Sequence, residues 1–194
     1  MLTREYKLKD IAKIITGLPI LRYTEKENIT KQKVIGNKSI DDINQEFIME
    51  EEKVTDDIKK HFYSQKHDIL YKVQQRSFAK EITTEIGAII PNTYIIIRVD
   101  PDKTNPTFLA NYLNNPKVDY EITRQIDSTK IMKVNTSILK ELTIILPEKN
   151  LQDNSAQLIT KINQRIDLKK KSIESDEQLI NSLYDEIIGD EYER

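Results

Sequence analysis

The sequence predicts an α+β chain: a mixed α/β domain over residues 1–150, then a long C-terminal coiled-coil helix over residues 151–194. Three observations predict it. Ile159, Ile166, Ile173, Ile180 and Ile187 recur every seven residues, and Ile162 and Leu183 follow two of them by three. A seven-residue apolar repeat held over four heptads is the pattern of a coiled-coil seam. Ahead of it, short apolar runs bounded by turn residues read as strands, and apolar residues at helical spacing lie between them. Finally, the 194 residues are 38% hydrophobic, which fits one ordinary domain with a core plus an appendage.

The elements follow in order. Leu8, Ile11, Ala12 and Ile15 lie at helical spacing, so Tyr6–Ile15 reads as a short helix opening into a turn at Gly17 and Pro19. Lys33–Ile35 is a short strand. Residues 41–57 hold eight acids and only Lys53 as a base, which predicts a solvated loop around a short strand near Phe47–Met49. His67-Asp68 reads as a turn into a strand that runs to Val73. Gly87–Ile90 and Tyr94–Val99 are further strands, the second apolar enough to be buried. Thr107 is the expected cap of a helix carrying Phe108, Leu109, Tyr112 and Leu113, stopped by Asn114-Asn115-Pro116. Val118–Ile126 reads as a second helix and Ile138–Glu141 as a helical turn. The strand Leu142–Leu146 is closed by Pro147, and the long helix begins near Leu151. From Leu151 to Ile188 it would span roughly 57 Å at about 1.5 Å per residue, longer than a domain of this size easily covers.

Composition narrows the function classes. There is no cysteine, hence no disulfide framework and no thiolate metal site. No apolar run is long enough to span a bilayer, and the N-terminus shows no secretory h-region, so a soluble, cytoplasmic protein is expected. The formal net charge of −2 neither favours nor excludes nucleic acid, because a local patch can do the binding. Four glycines form no phosphate-cradling or dinucleotide loop. His61 and His67 have no accompanying ligand set, so no metal and no cofactor is expected. Pro101-Asp102 with a later carboxylate-x-Lys triplet could mimic a nuclease core, but such triplets, Glu51-Glu52-Lys53 for example, are common in a chain this charged. No enzyme is expected.

Two polar stretches stand out. One runs from Lys72 through Gln74, Gln75 and Arg76 to Lys80; the other runs from Asp127 to Asn135 and holds Ser128, Thr129, Lys130 and Lys133. Lysine and arginine neutralise phosphate, and Gln and Arg can read base edges in the major groove. Either stretch alone would serve as a solvated loop. Together, on a domain without catalytic machinery, they favour nucleic-acid contact.

Leu8–Gly17, then His67–Tyr71, Gly87–Ile89 and Tyr94–Arg98, then Phe108–Asn114, Asp127–Lys130, Leu139–Leu142 and Ile144–Pro147, together resemble a target-recognition domain of the specificity (S) subunit of type I restriction–modification systems, in a half-length form. The chain departs from that family's pattern at Asp127, where glycine is frequent, and at Glu148–Asp153. The resemblance implies a target-recognition domain over 1–150 and a dimerisation helix over 151–194. It also implies no chemistry of its own, and partners that are double-stranded DNA and the methyltransferase (M) and restriction (R) subunits of the complex. One domain and one helix imply a homodimer, or pairing with another half-subunit. The competing expectation is a coiled-coil adaptor or decoy that binds the methyltransferase subunit rather than DNA.

The seam fits an antiparallel pair of copies built from Ile159, Ile162, Ile166, Ile173, Ile180, Leu183 and Ile187. In the register that sets Ile180 against Ile162 and Ile159 against Leu183, the polar d residues Lys169 and Asp176 face Ile173 and Ile166 and lie within reach of each other across the pair. A parallel pair would stack each polar residue on its own copy. Lys169→Asp is therefore expected to weaken the dimer, measured as a rise in dissociation constant by sedimentation equilibrium. Spin labels at position 159 of the two copies should sit tens of ångströms apart.

Overall fold

The computed structural model describes residues 3–24, 29–36, 46–73, 78–84, 87–125 and 134–192, with side chains to residue 188. The fold is mixed α+β with a long C-terminal helix. By internal contacts the chain divides into two units, Met1–Ala156 and Gln157–Arg194. Among the described residues no helix is long and apolar enough to cross a membrane.

The central sheet is antiparallel, in the order β2 (Ala12–Thr16), β7 (Tyr94–Val99), β5 (Ile69–Lys72), β6 (Phe78–Glu81). β7 is paired on both sides, and its alternate residues feed different cores. Ile95 and Ile97 join the larger core with Leu8, Ile11, Leu109, Leu113, Ile122, Leu139 and Ile144. Tyr94 and Ile96 face a second core with Ile35, Leu70, Ile82 and Ile90. A strand buried on both faces reads as an uninterrupted apolar run, which is why Tyr94–Val99 was the most legible strand in the sequence.

The first core is covered by α2 (Pro106–Leu113), α3 (Pro116–Thr123), α4 (Thr136–Glu141) and a separate antiparallel pair, β1 (Thr3–Lys7) with β8 (Thr143–Pro147). The second and third cores lie under the hairpin β3 (Ile29–Ile35) with β4 (Met49–Thr55). Tyr94 ties the layers together: its buried hydroxyl donates to the Gly36 carbonyl at 3.1 Å. Burial, reinforced by Glu50, pushes its pKa up to about 12.

Several local expectations give way to tertiary context. Tyr6–Ile15 is not one helix. It is β1, a single turn α1 (Leu8–Ile11) and β2. The β-branched run Ile14-Ile15-Thr16 gains more from pairing with Ile97, Ile96 and Ile95 than from a helix. The acidic segment is more regular than a loop: Glu50, Glu51 and Glu52 lie on β4. Gly87–Ile90 contributes isolated bridges at Ile89 rather than a strand of the central sheet. The cap of α2 is Asn105, not Thr107; its side chain accepts from the Phe108 amide at 3.0 Å, with Pro106 in the first turn. Asn115-Pro116 starts α3 in the same way instead of only stopping α2. A proline at the first helical position loses no hydrogen bond, so Asn-Pro marks a helix start here.

The first turns of α5 (Lys149–Tyr192) belong to the first unit, where Gln152 makes most of the bonds. Gln152 is 1% exposed. Its Oε1 accepts from the Thr104 hydroxyl and the Asn105 amide, both at 3.0 Å. Its Nε2 donates to the carbonyls of Pro147 at 2.9 Å and Lys103 at 3.3 Å. Asp153 adds bonds to Asn105 Nδ2 at 2.8 Å and Lys149 Nζ at 2.7 Å, and those two donors hold its carboxyl below the usual range.

Gly17 stands where a Cβ would come within 2.1 Å of the Pro91 carbonyl oxygen. Its amide donates to Tyr94 O at 3.0 Å and the next amide to Ile90 O at 2.8 Å, so neither backbone can retreat freely. Gly17→Ala is expected to cost roughly 3 kcal/mol or more by overpacking, read from the midpoint shift in urea unfolding at constant m-value.

Candidate nucleic-acid interface and pairing helix

The first polar stretch runs from the end of β5 to β6, and the last pair the two strands form is Lys72 with Phe78. Gln74, Gln75 and Arg76 lie outside the described residues, as do Ser128, Thr129, Lys130 and Lys133 of the second stretch. The two lysines that are described lie in strands. Lys72 is 7% exposed, on the same sheet face as its cross-strand partner Tyr94. Lys80 is half-buried, with its ammonium 5.1 Å from the centre of the Phe47 ring. Of these two lysines, Lys72 is the less accessible.

β6 is held from outside the sheet. Asn114, at the end of α2, receives the Ala79 amide on its Oδ1 at 2.8 Å and donates from Nδ2 to the Ala79 carbonyl at 2.7 Å. One side-chain amide thereby replaces a neighbouring strand along the free edge of β6. Sequence reasoning took Asn114 as a helix stop; a double bond across 35 residues has no local signal.

Beside this edge lies a polar knot that sequence reasoning missed. Asp68 is 2% exposed and accepts from Arg98 Nε at 2.8 Å and Nη2 at 3.1 Å. Arg98 Nη2 also donates to the Tyr63 carbonyl at 2.7 Å. Glu81, buried on β6, meets His67 Nδ1 at 2.8 Å and the Thr107 hydroxyl at 2.5 Å. His67 reaches it from a backbone with φ of 72°. These groups line a cavity of about 580 Å³ together with Asn105 and Lys149. Every charge in the knot is spoken for, which suits it to hold loops rather than to react. Among the described residues no group of three or more His, Asp or Glu is placed to hold a metal ion.

On α5 the seam residues are largely solvent-facing: Ile162 is 44% exposed, Ile166 41%, Ile173 58%, Ile180 52%, Leu183 49% and Ile187 72%, while Ile159 is half-buried. Lys169 and Asp176 are exposed on the same stripe. An apolar stripe of this length on one helix has no reason to stay in water.

No family model and no curated protein matches the chain. Solved structures do. The HsdS subunit from Thermoanaerobacter tengcongensis superposes with a TM-score of 0.63 at 13% identity, over 95% of this chain and 49% of that one. A chain from a study of complex assembly and conformational transition of the type I R-M system gives 0.66 at 13%, over 95% and 49%. The type I restriction-modification S subunit from M. genitalium gives 0.57 at 16%, over 93% and 44%. The present chain spans about half the length of each. At these identities the likeness is one of fold.

Arg98→Met is expected to strand the Asp68 carboxylate in the interior and cost roughly 3–5 kcal/mol in urea unfolding. Arg98→Met with Asp68→Leu, which removes both charges, should recover most of that loss. A single variant as stable as the parent would show that the pair is not what holds this corner.

Proposed function

We propose that the chain is a non-catalytic, sequence-specific DNA-recognition subunit of a type I restriction–modification complex. Two copies pair through α5 and place methyltransferase and restriction subunits on a bipartite site in duplex DNA in the cytoplasm. One observation carries this reading. The chain has the fold of about half an S subunit, and its long helix presents an exposed apolar heptad stripe. A second copy can cover that stripe, with Ile against Ile or Leu in the outer layers and the Lys169 and Asp176 charges meeting across the pair near its centre. The residues proposed to touch DNA are Lys72, Gln74, Gln75, Arg76 and Lys80 at the first stretch, and Ser128, Thr129, Lys130 and Lys133 at the second.

Two identical domains joined by an antiparallel seam are related by a two-fold axis, so the site they read should share it. The expected product, in cells expressing this chain with a methyltransferase subunit alone, is a methylated interrupted palindrome, read by methylome sequencing. An asymmetric motif rules out the homodimer as the active form, and unmethylated DNA with no duplex binding by the complex rejects DNA recognition itself. Ile166→Asp with Ile173→Asp should raise the dimer dissociation constant by more than about 100-fold, roughly 3 kcal/mol or more, and abolish that methylation. Persistence of the dimer in this variant would place the contact elsewhere.

A further inference from the structure

One end of the central sheet gathers three lysines that form no ion pair among the described residues, although exposed Asp57 lies two residues before Lys59. The register of β2 with β7 sets Lys13 directly opposite Arg98, so the two side chains leave the same face of the sheet. Arg98 is committed inward, to Asp68 and to the Tyr63 carbonyl. The bond to Tyr63 fastens the segment around the 3₁₀ turn Lys60–Phe62 across this end of the sheet, and the Ile90 amide bonded to the Phe62 carbonyl at 2.9 Å fastens it a second time. That segment carries Lys59, Lys60 and His61. Lys13, Lys59 and Lys60 are exposed, and none of them has a carboxylate partner among the described residues. The carboxylate of Asp56, which opens the segment, is turned to Thr30 and Gln32 of β3. The His61 ring lies 4.1 Å from the Phe62 ring, centre to centre.

His61 registers the local field. Its pKa is lowered first by burial and then by Lys13, Lys59 and Arg98. No carboxylate is among the groups acting on it. Like charges held together oppose folding, and an anion shared between them removes the opposition. Two of the cations, Lys59 and Lys60, are held on an anchored turn rather than on free loops, so little ordering is required when a ligand arrives.

We propose that Lys13, Lys59, Lys60 and His61 form a contact for the phosphodiester backbone of duplex DNA, positioning the domain without reading bases. The proposal rests on the DNA-recognition reading above and deepens it, since none of these residues belongs to the two polar stretches. Backbone and base contacts separate by their signatures: lysines on phosphate bind all sequences alike and add to the salt slope about 0.9 per phosphate neutralised.

The test uses the full-length chain in complex with its methyltransferase subunit, and two duplexes: one carrying the methylated motif, one unrelated. Fluorescence anisotropy across a salt series compares the parent with the triple variant Lys13→Gln, Lys59→Gln, Lys60→Gln. A charge-keeping triple, with arginine at the same three positions, controls for folding. The glutamine triple is expected to lose affinity for both duplexes by the same factor, roughly tenfold or more at moderate salt, with the salt slope smaller by about 2–3 and the preference between duplexes unchanged. The arginine triple should bind like the parent. If the parent binds DNA and the glutamine triple matches it in affinity and slope, the backbone contact is overturned while DNA recognition stands. If the glutamine triple loses only the preference for the motif, the residues read bases and the backbone role is equally overturned. If the parent complex binds neither duplex, the recognition reading falls and this contact with it. If both triples lose binding alike, the lysines serve the fold rather than the phosphate, which also overturns it.

Discussion

The first unit depends on β7 being buried on both faces. A strand in that position must be apolar along its whole length, must be paired on both edges and must have something to pack on each side. Every other part of the fold can be seen as meeting one of those demands. β2 and β5 take the two edges. The α-helices and the β1–β8 pair cover Ile95 and Ile97, while the β3–β4 hairpin and the segment around Ile89 cover Tyr94 and Ile96. The demand relaxes only at the strand's end, where Arg98 takes the place of a further isoleucine. There the buried apolar layer turns into the Asp68–Arg98 pair. A buried pair contributes little net stability compared with apolar packing, but a misplaced one is costly, so it enforces a single arrangement of the segments it joins.

Side-chain amides do much of the joining elsewhere. Gln152 saturates its oxygen and its nitrogen with two bonds each, Asn114 completes the edge of β6, and Asn105, Asn115 and Asn135 cap three helices. An amide both donates and accepts without a charge, so it can satisfy irregular backbone in a buried place where a carboxylate or an ammonium would pay desolvation. This explains how a domain with several short elements and long connections can satisfy irregular backbone in buried places.

The two units use isoleucine in opposite ways. In the first, most of the described isoleucines are buried in cores, as Ile95, Ile96 and Ile97 of β7 are. In the second they repeat every seven residues along one face of a helix and, from Ile166 on, remain exposed. Polar residues at Lys169 and Asp176 interrupt the stripe near its middle. Interruptions of that kind weaken a coiled-coil seam but restrict the registers in which one can close.

Periodicity by itself determined the α+β class, the apolar strand Tyr94–Val99, the strand opened by His67-Asp68 and the long helix with its stripe. Each is a pattern that repeats within a single element, and local repetition survives without knowledge of neighbours. Helix starts at Asn105-Pro106 and Asn115-Pro116 are also present in the sequence, but the local pattern puts the first cap at Thr107 and makes Asn115-Pro116 the stop of the preceding helix. What only the tertiary structure decided has a common feature: it joins residues far apart in the chain. Whether Ile14 and Ile15 enter a helix or a strand depends on Ile96 and Ile97 being alongside. Glu81 becomes buried because His67 and Thr107 come to it, and Lys13 joins Lys59 and His61 only because β2 pairs with β7 beneath the segment that Arg98 fastens. Such clusters need no spacing in sequence, since the sheet register supplies it, and so no pattern along the chain could announce them.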